Sequence, residues 1–424
     1  MRVLIVNTSE RTGGAAMASN RLMEALNNSG VKAKMLVRDK ETDTLTVVGL
    51  DAPMRARWHF LWERMTIFIK LHFSRKNLFK IDIANSGFNI TGLREFKEAD
   101  VIHLNWVNQG FLSLTDIRRI VASGKPVVWT MHDIWPATAI CHYTKGCKAF
   151  MTACRKCRLL PGHGSDNDLA YQVWKKKMSA LKGANISFVT CSRWLEKQAV
   201  QSALLKHHHV TNIPNPIDTH VFKPGDRKKA RERLELPQDK RLILFVSQRV
   251  TDDRKGMEYL IDAIARLTEE HPEMKENAGV AILGGHAEEL EGKLSLPVYP
   301  LGYVSDEETI VNVYRAADVF VLPSLEDNLP NTIMEAMACG VPCVGFRTGG
   351  IPEEIEHLKT GYVADYCSAE DLMKGIHWVL SEANTEMLAT RGVKKVVTNY
   401  SQTNVALRYI EVYNQAMAYK NYAL

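Results

Sequence analysis

Short apolar runs alternate with amphipathic stretches along most of the chain. Met1-Arg2-Val3-Leu4-Ile5-Val6 opens a first strand over residues 1–7, and further strands are predicted at 31–37, 45–50, 100–104, 126–131 and 210–213. The stretches between several of them carry apolar residues at helical spacing. Strands alternating with helices predict parallel, doubly wound sheets. The pattern breaks at Ile213-Pro214-Asn215-Pro216-Ile217-Asp218, where two prolines and a shift to polar sequence mark a linker. A second series follows: helix 226–235, strand 241–247, helix 257–270, strand 279–284, helix 305–316, strand 319–322, helix 329–338, strand 341–346 and a last helix at 401–422. A chain of 424 residues suits two domains. The predicted boundaries are 1–214 and 215–400, with 401–424 as a terminal helix.

The richest stretch is Asp318–Pro352, a βαβ unit. Its strand leads into a turn bearing Asp327, and its helix carries Glu335 on the second turn. Asp327 or Asn328 suits the N-cap, Pro330 the first turn and Gly340 the left-handed stop. Loops after parallel strands lie on one edge of the sheet, where ligands bind. Free N–H groups and the helix dipole favour an anion near Asn331 and Thr332, and the two carboxylates accept from hydroxyls. A ligand that is part phosphate and part polyol, such as a nucleotide sugar, has both needs.

Other polar residues stand at the same kind of place. Gly13-Gly14 follows the first strand, where small residues let backbone N–H groups approach a phosphate; a tight turn with no ligand explains them equally well. His132 follows strand 126–131, and Asp133 either orients it or caps the next segment. Arg249 and Lys255 follow strand 241–247; both suit a diphosphate, with Arg254 competing for the arginine role. By spacing alone, each of these residues also reads as a solvated or structural side chain.

Pro323-Ser324, Asp327 and Glu335-Ala336-Met337-Ala338-Cys339-Gly340 resemble the signature of the retaining glycosyltransferases of group 1, family 4. That pattern is Glu, seven residues, Glu, then Ala-Met-Ala-x-Gly; here Asp327 replaces the first Glu. The resemblance implies the GT-B fold: two doubly wound Rossmann-like domains facing a central cleft, with the C-terminal helix crossing back to the first. It implies sugar transfer from a nucleotide-diphosphate sugar (UDP- or GDP-linked) to a glycan or lipid-linked acceptor, as in surface polysaccharide biosynthesis. It also implies roles: Arg249 and Lys255 on the diphosphate without metal, Glu335 on the ribose, and Asp327 on the transferred sugar. Backbone N–H groups of Asn331 and Thr332 would meet phosphate, Gly13 and Gly14 would lie beside donor and acceptor, and His132 near the sugar. Two alternatives stand beside this reading. One is an epimerase or phosphorylase on the same scaffold; the other is a non-catalytic sugar-nucleotide-binding protein.

Composition narrows the setting. The net charge is +6, and residues 53–80 carry all of it, seven cations against Glu63. Trp58, Phe60, Leu61, Trp62, Ile67, Phe68, Ile69, Leu71 and Phe73 are interleaved. Two readings compete: an interfacial helix on anionic lipid, or a domain helix with one buried face. Nucleic acid is not expected as a partner. No apolar run reaches membrane-spanning length, and eight irregularly spaced cysteines without a leader pattern predict a reducing, cytoplasmic setting; the lipid reading of residues 53–80 would place the protein at the inner face of the membrane.

Four of those cysteines, Cys141, Cys147, Cys154 and Cys157, fall in a loop-like stretch over 134–167. Cys154-x-x-Cys157 has the knuckle spacing of thiolate zinc sites, so structural zinc is preferred over free thiols or disulfides. Asp166-Asn167-Asp168 reads as a helix cap and His207-His208-His209 as a loop.

Overall fold

The computed structural model describes residues 1–422. The chain forms two compact units, Met1–Pro216 together with the chain from Val405 onward, and Ile217–Asn404. In the first, seven parallel strands run in the order β3-β2-β1-β4-β5-β6-β7. They are β1 (Arg2–Ser9), β2 (Lys32–Asp39), β3 (Val47–Gly49), β4 (Val101–Leu104), β5 (Val127–Met131), β6 (Ile186–Thr190) and β7 (His209–Asn212). The second unit holds six parallel strands in the order β10-β9-β8-β11-β12-β13. These are β8 (Arg241–Arg249), β9 (Ala278–Gly285), β10 (Val298–Gly302), β11 (Val319–Leu322), β12 (Cys343–Phe346) and β13 (Gly361–Ala364).

Central strands are buried on both faces, which is why β4, β5 and β11 read as continuous apolar runs. In each sheet the order reverses once, between β1 and β4 and between β8 and β11, and crevices open at the carboxyl ends there. Three strands escaped sequence reading. β6 and β13 are short and mixed, and β10 is an edge strand containing Pro300, which only an edge tolerates. Ile217 receives a hydrogen bond from Gln402 N at 3.1 Å and donates one to Tyr400 O at 2.8 Å, so the chain enters and leaves the second unit side by side.

The helix Gln402–Tyr422 belongs to the first unit from Val405 on. Val405, Tyr409, Val412 and Tyr413 pack with Val3, Ile5 and Val37 of β1 and β2. Each such side chain contributes about 1.5–3 kcal/mol through burial. Both tyrosine hydroxyls are bonded: Tyr413 to His103 Nδ1 at 2.7 Å and Tyr409 to Thr130 Oγ1 at 2.9 Å, with His103 Nε2 joining Thr130 at 2.7 Å.

The helix Pro53–Lys70 corrects one expectation. Its inward side carries Ala56, Glu63, Arg64 and Ile67, while Met54, Trp58, Leu61, Trp62, Met65 and Ile69 are exposed. Arg64 therefore does not belong to a basic surface: it is buried and paired with Asp82. Glu63 Oε1 accepts from the backbone N–H groups of Ile83 and Ala84 at 2.9 and 2.7 Å.

Candidate functional site

In the second unit, the loops after β8 and β11 bring Lys255 and Asp327 together. Lys255 Nζ lies 2.6 Å from Asp327 Oδ2. Arg254 Nη1 stands 3.7 Å from the same oxygen, and Ser324 Oγ donates to it at 3.3 Å. Burial alone would raise the Asp327 carboxyl, but the Lys255 and Arg254 charges outweigh it and hold it below the usual range. Asp327 or Asn328 was expected as the helix cap. The cap position is instead Pro330, no side chain caps the helix Asn331–Ala338, and no acid stands in its first turn.

Two glycines make this cluster possible. Gly256 has φ 68° and a Cβ there would sit 2.0 Å from Pro323 O; Gly349 has φ 57° and its Cβ would sit 1.6 Å from Asp327 O. The loops after β8 and β12 thus press their backbones against the β11 turn, an approach that only glycine permits. Arg254 is further tied to Glu326 O at 3.1 Å and to Asp252, while Arg249 at the end of β8 is exposed. Asn331 and Thr332 are half-buried at the helix start. Glu335 is buried one turn on, and Tyr314 OH donates to its Oε2 at 2.7 Å. Tyr314 and Gly349 were not foreseen as parts of the site, whereas Gly256 was expected beside Lys255. Tyr314 lies on the helix Glu307–Ala316, where its ring reads as ordinary core.

In the first unit, Gly13 follows β1 with φ 94°, in the left-handed region, and a Cβ there would meet nothing within 4 Å. The helix Gly14–Asn28 that it opens has no side-chain cap and no acid in its first turn. His132 stands just past β5, half-buried, with Nε2 2.9 Å from Asn105 Oδ1 and Nδ1 3.6 Å from Cys191 Sγ. Burial pushes the His132 imidazole down to about 4, so it is neutral at pH 7. Asp133 acts on the His132 ring electrostatically, and its carboxylate is held by other donors. It accepts from His142 Nδ1 at 2.8 Å, Trp106 Nε1 at 3.0 Å and Trp135 N at 2.8 Å. His142 Nε2 reaches Asp82 at 2.6 Å, so an ionic chain runs Arg64–Asp82–His142–Asp133. Burial disfavours the His142 cation, but its two carboxylate partners raise it to about 10.

Residues 226–395 match the family described as glycosyl transferases group 1, and residues 12–221 match glycosyltransferase family 4. The chain belongs to the group 1 glycosyltransferases. Within this family it is similar to the D-inositol 3-phosphate glycosyltransferase of Saccharomonospora viridis, 27% identical over 49% of this chain and 51% of that protein. A glycosyltransferase of Methanocaldococcus jannaschii is 33% identical over 44% of this chain and 48% of that one. The chain thus spans about half the length of these relatives. Among solved structures, sucrose-phosphate synthase of Thermosynechococcus elongatus aligns with TM-score 0.68 at 19% identity, covering 98% of this chain and 99% of that one. Anabaena HepE, solved with UDP-glucose, aligns with TM-score 0.62 at 16% identity over 98% and 100%. These likenesses establish the GT-B fold.

The cysteine loop is anchored to the first unit's core. Ile81 bridges Cys141, Asp82 N donates to Ile140 O at 2.8 Å, and Cys157 N donates to Asp168 Oδ2 at 2.9 Å. Asp168 caps the helix Leu169–Leu181 through Oδ1, as its sequence position foretold. All four thiols are free, and none is exposed. Among the described residues, the one group of three His, Cys, Asp or Glu side chains with ligand atoms within 4.8 Å of one another is His271, Glu273 and His377, in the second unit. No three of the clustered sulfurs meet that distance.

Proposed function

We propose that this protein transfers a hexosyl group, with retention, from a UDP- or GDP-sugar to a glycan or lipid-linked acceptor in surface polysaccharide assembly, at the cytoplasmic face of a membrane. The observation that carries the reading is the Lys255–Asp327–Arg254 cluster beside the uncapped helix start and Glu335. A leaving diphosphate needs compensating charge, and Lys255 and Arg249 supply it as fixed cations. Backbone N–H groups at Asn331 and Thr332 add to it. Asp327 and Glu335 accept from the sugar and ribose hydroxyls. The bond from the anomeric carbon to phosphate oxygen breaks, the acceptor oxygen bonds the same face, and its proton passes to that phosphate oxygen. His132, being neutral, contributes a hydrogen bond and no charge. The structure of HepE with UDP-glucose supports the donor class.

The exposed stripe on the helix Pro53–Lys70 supports the membrane setting. Trp58 and Trp62 stack at 5.7 Å with half their surface open to solvent, and Arg55, Arg57, Lys70, Arg75, Lys76 and Lys80 of the same segment are exposed. Large exposed apolar patches mark interaction sites, and each basic residue near an anionic surface contributes about 1 kcal/mol. A hollow of about 580 Å³ at the root of this helix is lined by Arg38, Lys40, Arg57, Leu50 and Phe60 together with Asp39, which pairs with Arg38, so its net charge is positive. A soluble phosphorylated polyol is the competing acceptor, favoured by the name of the inositol-phosphate relatives.

The deciding experiment follows nucleotide release from UDP- and GDP-sugars, with and without EDTA, and assigns the product anomer by NMR. Turnover that needs an acceptor, survives EDTA and yields the donor's anomer is expected. Donor conversion without acceptor indicates an epimerase, and binding without turnover a non-catalytic protein. Sedimentation with anionic and neutral vesicles tests the setting. Equal binding to both, or no loss in Trp58→Ser/Trp62→Ser and Arg57→Glu/Lys70→Glu variants, leaves the soluble acceptor as the better reading.

A further inference from the structure

His132 is held at both ring nitrogens by residues that follow the two neighbouring strands. Asn105 stands just past β4, and its backbone is pinned on either side. Its N–H donates to Val6 O of β1 at 2.9 Å, and its carbonyl accepts from Trp129 Nε1 of β5 at 3.0 Å. The side chain places Oδ1 2.9 Å from His132 Nε2. Cys191 stands just past β6. It lies between Thr190, in register with Met131 of β5, and Ser192, whose side chain caps the helix Arg193–Ala199. Its Sγ is 3.6 Å from His132 Nδ1. Asn105 is 3% and Cys191 2% exposed, so water does not stand in for either partner.

The chemistry of these partners decides where the ring proton sits. A carboxamide oxygen only accepts, so Nε2 must bring the N–H. Burial pushes the Cys191 thiol up, so it keeps its S–H and donates to a bare Nδ1. One tautomer satisfies both contacts. The other would aim an N–H at a weak sulfur acceptor and leave two lone pairs opposed at Nε2. The remaining titratable groups beside the ring are engaged elsewhere. Asp133 is held by His142, Trp106 and Trp135. His103 is bonded to Tyr413 and Thr130, and burial pushes it down to about 3, so it is neutral as well.

We propose that Asn105 and Cys191 are positioning residues that hold His132 as the neutral tautomer with its proton on Nε2. The inference rests on the reading of His132 as a neighbour of the transferred sugar. As the bond from the anomeric carbon to phosphate oxygen breaks, positive charge builds on the sugar ring. An imidazolium at that place would oppose this charge and raise the barrier, whereas a neutral ring does not. A carboxamide at position 105 meets this need. An aspartate would accept from the same nitrogen but would also stabilise the cation.

The test is nitrogen-15 NMR of the imidazole rings in the full chain, with the His132 signals assigned by their absence in His132→Gln. In the unaltered protein a protonated Nε2 and a bare Nδ1 are expected at pH 7, with no titration between pH 5 and 8. Asn105→Asp should raise the titration midpoint by about 1–3 pH units. Its kcat should fall on the acid side and recover as pH rises past the new midpoint, with the donor KM changed less than kcat. Recovery with pH separates lost positioning from a damaged fold. A proton on Nδ1, a mixture of tautomers, or a midpoint between pH 5 and 8 in the unaltered chain overturns the proposal. So does a midpoint unmoved by Asn105→Asp, or a kcat loss that is absent or that pH does not restore. If the unaltered chain turns over no nucleotide sugar, the sugar-transfer reading falls, and the ring signals still decide this inference.

Discussion

Lys255→Met strikes the contact on which the donor-side geometry turns. Lys255 and Asp327 have side chains only 17% and 12% exposed and approach to 2.6 Å, so solvent does little to weaken their attraction. Removing one partner of a buried pair leaves an uncompensated charge and typically costs 3–5 kcal/mol. Arg254, at 3.7 Å from the same carboxylate oxygen, retains part of the compensation. The expected loss is therefore at the lower end, about 3 kcal/mol. A double-mutant cycle with Asp327→Asn, read by urea unfolding at pH 7, isolates the coupling; the doubly changed chain should recover much of the loss. The sign with pH follows from the depressed Asp327 carboxyl. Its contribution is present above the unfolded value of about 3.9 and is lost as pH falls through the lower folded value. A coupling below about 0.5 kcal/mol, the size of a surface pair, would refute the reasoning. So would a coupling that does not weaken once acid protonates the folded Asp327 carboxyl.

Tyr314→Phe removes the donor to Glu335 Oε2 and should weaken binding of the proposed nucleotide-sugar donor about tenfold, with KM rising more than kcat falls; equal affinity by calorimetry would free Glu335 from that support. Gly349→Ala meets both a positive φ and the Asp327 carbonyl, so a loss of at least about 2 kcal/mol is expected in thermal unfolding, and an unchanged Tm would contradict the backbone geometry. His142→Ala leaves Asp133 without its cationic partner, while Asp82 keeps Arg64, and should cost about 3 kcal/mol at pH 7. Because the folded His142 value is raised to about 10, its contribution is full below the unfolded value near 6.5 and disappears as pH rises through 10. Stability flat from pH 7 to 10 in the unaltered chain would count against it.

Much of the fold was legible because parallel strands buried on both faces leave apolar runs that survive in one dimension. β11 was read at its observed limits, and the helices Met257–Glu270 and Leu169–Leu181 to within a residue. Placing Asp327, Glu335, Arg249, Lys255 and His132 after strand ends also followed from the alternation. What each side chain meets did not. Lys255 and Asp327 are 72 residues apart, and Asp82 and His142 are 60 apart. Their pairing depends on which strands are neighbours.

The helix Pro53–Lys70 shows the division best. Its composition established a basic, aromatic, amphipathic segment but left open which side was buried. Glu63 and Arg64 turn inward because the segment Ile81–Ala84 offers two N–H donors and the Asp82 carboxylate. That polar network fills the inner side, so Trp58, Leu61, Trp62 and Met65 are left outside. Periodicity along a chain determines that a stripe exists and that strands and helices alternate. Which stripe faces the core is decided by partners distant in sequence, since burying a charge is favourable only where an opposite charge or hydrogen-bond donor already waits.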